Sequence, residues 1–182
     1  MATTKHTIVA LVEDKPGVLN RIASLFRRRG FNIDSIAVGP SEVHDQSRVT
    51  IVVNGAATMV EQVRKQLAKV IDVVKISDIT GEDIVTRELA LFKIKANSTT
   101  RSEIIQIVDI FRANIVDVAV DSVTIEVTGD EDKIQSLYNL LRGFGIKEVA
   151  RTGRIALTRG GAGPISTEEK GPPASRKKIK EK

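Results

Sequence analysis

Residues 6–12 form a β-rich apolar run, and behind it Val18, Ile22, Leu25 and Phe26 recur at i, i+4, i+7 and i+8. The first pattern predicts a strand and the second one face of a helix. Arg27, Arg28 and Arg29 followed by Gly30 predict the helix stop: cations oppose the negative end of the helix dipole, and glycine accepts left-handed backbone angles. Residues 33–38 and 47–53 read as two strands joined by the polar loop 39–46. Val60, Val63, Leu67 and Val70 mark a second helix, and residues 73–79 a closing strand.

The same order recurs further on, without close sequence similarity to the first copy. Residues 89–95 predict a strand, Ile104, Val108 and Phe111 a helix face, and residues 115–120 another strand. Val123, Ile125 and Val127 alternate with polar residues, as on a half-buried strand. Ile134, Leu137, Tyr138 and Leu141 mark the last helix, and residues 148–157 the last strand. Two βαββαβ units, each with two helices on one face of an antiparallel sheet, define an α+β chain of two tandem ferredoxin-like sandwiches. The expected division is residues 1–79, a polar linker 80–86 containing Gly81, residues 87–158, and a tail 159–182.

The strands of the first unit are apolar on both faces: Val9 and Leu11 on one, Ile8, Ala10 and Val12 on the other. Helices cover only one side of such a sheet. At about 25 cal/mol per Å² of apolar area, leaving the other side wet forfeits several kcal/mol. Another domain or subunit is expected to cover it.

The formal charge of +5 invites a nucleic-acid or membrane partner. Its distribution argues otherwise. Residues 159–182 carry seven Lys or Arg and three Glu, leaving 21 basic against 20 acidic residues in the rest of the chain. The tail is rich in Gly, Pro and Lys, as in a disordered segment. RNA recognition on a sheet of this type uses exposed aromatic rings on the central strands, and the first unit's strands 6–12 and 47–53 have none. Neither nucleic acid nor membrane is an expected partner. The apolar run that follows residue 6 is too short for a signal-peptide core or a membrane span, so a cytoplasmic location is expected. With no cysteine, thiolate catalysis, disulfides and cysteine metal sites are excluded.

No catalytic group assembles. His6 and His44 have no neighbour at metal-ligand spacing and are expected to face solvent. The acidic run Asp130, Glu131 and Asp132 lies where carboxylates favour a helix start, and Glu82 and Asp83 lie in the linker. No catalytic and no metal-binding residue is expected.

The informative segment is residues 13–19, between the first strand and the first helix. Pro16 presets a backbone angle suited to helix entry, and Gly17 leaves room for a ligand to reach the backbone. Free amides of the first turn suit a carboxylate. Asp14 can accept bonds from those amides or from the ammonium of an amino acid, and Asn32 offers a neutral amide. Taken alone, this run is also an ordinary turn and helix start.

The run resembles the ACT domain, an amino-acid-sensing version of this fold. A longer series resembles the acetolactate synthase small-subunit family: Gly17-Val18-Leu19, Leu25-Phe26, Arg29-Gly30-Phe31-Asn32-Ile33-Asp34-Ser35-Ile36, Val38-Gly39-Pro40 and Ser47-Arg48-Val49-Thr50-Ile51. It continues through Arg87-Glu88-Leu89, Ile110-Phe111-Arg112-Ala113 and Glu148-Val149-Ala150-Arg151-Thr152-Gly153, covering about residues 5–160. The resemblance implies a non-catalytic regulatory subunit of branched-chain amino acid biosynthesis, homodimeric through its ACT domains. A separate catalytic subunit would carry thiamine diphosphate, magnesium and FAD, and this chain none of them. Valine or a related end product would bind between paired ACT domains and impose feedback inhibition. Gly17 and Asn32 match effector positions, with Val18 and Ile33 beside them, while Asp14 stands where the family often has asparagine. The residues alone leave open a free-standing amino-acid-binding regulator of another enzyme or transporter.

Overall fold

The computed structural model describes residues 4–160. The tail expected to be disordered falls almost wholly outside the described residues. Its first residue, Arg159, donates its amide to the Asp83 carbonyl and pairs through Nε with the Asp83 carboxylate at 3.1 Å.

The first unit runs β1 (Thr4–Glu13), α1 (Val18–Arg29), β2 (Ser35–Pro40), β3 (Gln46–Gly55), α2 (Ala57–Leu67) and β4 (Val73–Asp78). The second runs β5 (Ile84–Lys95), α3 (Arg101–Ile110), β6 (Asn114–Val118), β7 (Ser122–Gly129), α4 (Glu131–Leu141), β8 (Ile146–Arg151) and β9 (Ile155–Thr158). Strand order is β2-β3-β1-β4 in the first sheet and β6-β7-β5-β8 in the second, with β9 pairing to β5. The two orders are equivalent, and every ladder is antiparallel. This is the expected α+β architecture. One register shift also corresponds, at Leu11/Val12 against β4 and at Lys93/Ile94 against β8, whereas the shift at Ile115/Asp117 in β6–β7 has no counterpart in β2–β3.

Each sheet buries one face under its helices. Ile8, Ala10, Val49 and Ile51 pack with Val18, Ile22 and Phe26 of α1 and with Val60, Val63 and Leu67 of α2. Phe92, Ile94 and Ile125 pack with Ile104, Ile134, Leu137 and Leu141 in the second unit. Helix α1 ends as expected at Gly30, with φ 66°. The Phe31 amide reaches back to the Phe26 carbonyl and the Gly30 amide to Arg27, closing a Schellman motif whose apolar contact is the edge-on pair Phe26–Phe31 at 6.1 Å. Helix α3 closes in the same way, but Arg112 occupies the left-handed position at φ 48°.

Several expected boundaries move. Strand β2 begins at Ser35 rather than residue 33, because Ile33 packs against the core beside α1 instead of joining the ladder. Helix α2 stops at Leu67, and Val70 reaches the core from the turn that follows. Strand β6 ends at Val118, and Val120 is exposed.

The two larger corrections concern how the units meet. Residues 84–86, expected in the linker, are the start of β5, and Ile84 to Arg87 pair with Ile155 to Thr158. The expected strand 148–157 is two strands. Thr152 bonds to Leu89 through amide and hydroxyl, Gly153 passes against the backbone of β2, and the Arg154 amide donates to Ser35 Oγ at 2.8 Å. This break lets the chain leave the second sheet and lay β9 over the first. Val9 and Leu11 on the far face of the first sheet are thereby buried by Ile79, Ile84 and Ala156. The expected cover is part of the same chain. Lys5 and Arg154 both pair with Glu131, joining the units at the start of α4.

His6 is a further correction. It is buried at the helix-facing edge of β1, opposite Val53, with Nδ1 unbonded, whereas His44 is exposed as expected. Phe92, the strand aromatic of the second unit, is fully buried, and Asp130 caps α4 by accepting from the Lys133 amide at 2.9 Å.

Candidate functional site

The connection from β1 to α1 is a short, tightly held loop. The Glu13 amide donates to the Asp72 carbonyl at 2.9 Å, Asp14 to the Asp45 carbonyl at 2.8 Å, and Val18 to the Lys15 carbonyl at 3.4 Å. The last bond closes a turn with Pro16 and Gly17 at its centre. Gly17 lies at φ 88° and ψ −9°, values that define a type II turn with proline before glycine. Pro16 therefore sits one residue before the helix cap, not in the first helical turn. Gly17 is required by its positive φ; a Cβ there would meet no protein atom within 4 Å and would project into open space.

Helix α1 has no side-chain cap and no acidic residue in its first turn. Its leading amides and the positive end of its dipole are left for an outside acceptor. Below the loop, Asp72 is buried and paired with Arg21 of α1, which fixes the helix against the β4 entry. Lys15 is bonded to Glu13 at 2.9 Å, and that hydrogen bond, then the Glu13 charge, raises the lysine pKa above its ordinary value. Asp14 is exposed, and among the described residues no hydrogen bond reaches its carboxylate, so it does not cap the helix.

The loop walls a cleft of about 380 Å³ that includes Asp14, Gly17, Val18 and Leu19 together with Val38 of β2. Of the residues singled out in the sequence, Asp14, Gly17 and Val18 come together. Asn32 and Ile33 do not line it: Asn32 is exposed ahead of β2, and Ile33 packs on the core. Leu19 and Val38 are wall residues that the sequence reading passed over. Each is a large apolar side chain left 47% and 44% exposed. Leu19 lies off the buried stripe of α1 and Val38 on an edge strand, and an apolar residue out of phase with its element's core is the signal that could have found them. Among the described residues, no group of His, Cys, Asp or Glu is arranged to hold a metal. Nor, among the described residues, is any helix long and apolar enough to cross a membrane.

The first βαββαβ unit is an ACT domain: a family model for the acetohydroxyacid synthase small-subunit-like ACT domain matches residues 8–75. A second model, for the small subunit of acetolactate synthase, matches residues 87–160. The probable acetolactate synthase small subunit of Archaeoglobus fulgidus is 58% identical over 86% of this chain and 98% of its own length. The acetolactate synthase small subunit of Mycobacterium bovis is 50% identical over 90% of this chain and 97% of its own. The crystal structure of the small subunit from Thermotoga maritima superposes with a TM-score of 0.81 at 42% identity, covering 87% of this chain and 99% of that one. The chain belongs to the acetolactate synthase small-subunit family.

Proposed function

We propose that this chain is the amino-acid-sensing regulatory subunit of an acetolactate synthase, activating a catalytic large subunit and conferring feedback inhibition by valine or a related branched-chain end product. Membership in the family supports the partner. The observation that carries the sensing role is the cleft at residues 12–19: uncapped α1 amides for a carboxylate, the free Asp14 carboxylate for an ammonium group, and Leu19 and Val38 for an aliphatic side chain.

The cleft opens beside β2, one of the two edge strands of the first sheet. A second copy pairing antiparallel on that edge sets the start of its β2 beside the end of this one. In that arrangement Asn32 of the second copy, exposed just ahead of β2, extends past the Pro40 end of this strand as its contribution to the effector site, with Ile33 behind it on its own core. Ile36 and Val38, exposed on this edge, are the apolar surface such a homodimer covers. Effector binding shifts the populations of this pair, and linkage demands tighter valine binding to the less active state of the complex.

Catalysis is assigned to the large subunit, together with thiamine diphosphate, magnesium and FAD, and the complex to the cytoplasm. The test is valine titration of the reconstituted enzyme. Gly17→Asp and Asn32→Ala are expected to raise the valine concentration needed for inhibition while leaving the stimulated rate intact. Unchanged inhibition rejects the site, and failure to stimulate the cognate large subunit rejects the regulatory role.

A further inference from the structure

A second cleft, of about 350 Å³, lies on the other side of β2, between the first sheet and the β5–β9 hairpin. Its walls are hydrocarbon: Ala37, Pro40, Val85, Ile155 and Leu157. Its polar side chains are Arg48, Arg87 and Thr50, and no carboxylate lines it. Ile155 and Leu157 are 58% and 60% exposed, so apolar surface at its mouth is wet in the single chain.

Arg48 is the informative group. It stands on the far face of β3 opposite Leu11, half-buried, and donates from Nη2 to the Ala156 carbonyl at 3.1 Å. Among the described residues it makes no ion pair. Burial pushes its pKa below the ordinary guanidinium value, with Glu42 pulling weakly the other way. A guanidinium stays charged at any physiological pH and has five donors, so a half-buried one with a single carbonyl partner retains unmet demand for an anion. Arg87, exposed on the rim, spends one donor on the neighbouring Thr86 carbonyl.

We propose that this cleft binds a short aliphatic carboxylate that carries no ammonium group, its carboxylate on Arg48 and Arg87 and its hydrocarbon on Val85 and Leu157. The charge pattern separates it from the loop cleft. There the free Asp14 carboxylate stands with the Glu13–Lys15 pair beside helix amides, a set that satisfies both ends of a zwitterion. Here both charged groups are cations, and an ammonium would find only the Thr50 hydroxyl and backbone carbonyls. The hydrocarbon walls favour a branched or linear acid over inorganic phosphate, which would leave them wet. Val38 lines both clefts, so the two ligands would act on one strand from opposite sides.

The test is a methyl NMR titration of the full chain with 3-methylbutanoate, with 3-methylbutylamine and valine as comparison ligands. 3-Methylbutanoate is expected to shift the Val85 and Leu157 methyls saturably, the amine to leave them unmoved, and valine to shift Leu19 instead. Arg48→Ala is expected to weaken 3-methylbutanoate binding about tenfold, the scale of one lost charge-assisted pairing. Because Arg48 also tethers Ala156, Arg87→Gln on the exposed rim supplies the second variant, with binding weakened several-fold and thermal stability unchanged. Absence of a saturable shift, equal shifts with the amine, or unchanged affinity in Arg87→Gln overturns the proposal. None of these outcomes depends on the site at residues 12–19.

Discussion

The far faces of the two sheets have parted in chemistry. On the first, Val9 and Leu11 stand with Thr7, Thr50 and Val52, all buried, roofed by the β5–β9 hairpin. On the second, the matching positions are Leu89, Leu91 and Lys93 opposite Thr128, Glu126 and Thr124, with Glu148 and Ala150 on β8 exposed. The helix-facing sides remain alike. One copy of the plan has become a buried layer between helices and hairpin, and the other has stayed two-layered with a polar outer side. The same divergence separates the first loops. Residues 14–17 leave the α1 amides open, whereas Asn97 in the second unit folds its loop on itself, its Oδ1 accepting from the Thr99 and Thr100 amides. Both helix starts lack a side-chain cap, and only the second is preceded by a loop that an asparagine side chain ties to itself.

The sharpest way to break this comparison is a matched pair of truncations. Leu11→Ala, which empties a fully buried site, is expected to cost about 3 kcal/mol in urea unfolding. Leu91→Ala, at the half-buried place on the outer face of the second sheet that matches Val9, is expected to cost about half as much. Equal losses would mean that the second face is also covered.

Next in size is Gly153→Ala. A Cβ there would stand 2.2 Å from the Ile36 carbonyl, and backbone cannot yield as a side-chain tip does. The expected cost is about 2 kcal/mol, accompanied by faster amide exchange along β9 as the hairpin lifts.

The two Schellman closures offer a smaller, opposite effect. Gly30 bears its left-handed angle freely, whereas Arg112 does not. Arg112→Gly is expected to stabilise the second unit by about 1 kcal/mol in thermal unfolding. No gain would place another interaction on the Arg112 side chain.

The smallest expected effect is electrostatic. Glu131 is held below the usual carboxylate range, first by its hydrogen bond from Lys5 and then by the charges of Lys5, Arg154 and Arg151, against a desolvation that raises it. A carboxylate with a depressed folded pKa contributes stability above its unfolded value and loses it as pH falls through the folded one. The contact between the units is therefore expected to weaken as pH drops below the ordinary glutamate value of 4.5. Glu131→Gln should flatten that part of the stability profile, and an unchanged profile would show that another acid carries it.

How much of this was legible depends on distance along the chain. The helix faces at Val18, Ile22, Leu25 and Phe26, the stop at Gly30 and the cap at Asp130 are local: periods of 3.6 and 2 and the φ tolerance of one residue specify them without reference to the rest of the molecule. The double-faced apolar pattern of β1 likewise required a cover. Neither pattern said which segment supplies it, because an apolar face attracts hydrocarbon without direction. That choice came from Gly153, whose missing side chain lets the chain cross β2, and from Thr152 and Arg154, which bind Leu89 and Ser35 more than sixty residues away. His6 was misjudged for the same reason, since a polar residue at a strand start looks exposed until its sheet is built around it.

The candidate sites divide in the same way. Asp14, Gly17 and Val18 could be read in order because a strand-to-helix loop brings its own residues together. Leu19 and Val38 left only their out-of-phase positions as a signal, and the cleft at Arg48 and Arg87 left none. The members of that cleft come from β2, β3, β5 and β9, and only the folded sheet and its roof set a guanidinium without an ion pair among hydrocarbon walls. Composition and periodicity determined two sandwiches and an open helix start; long-range packing decided what each sheet faces and where a half-buried guanidinium lies without an ion pair.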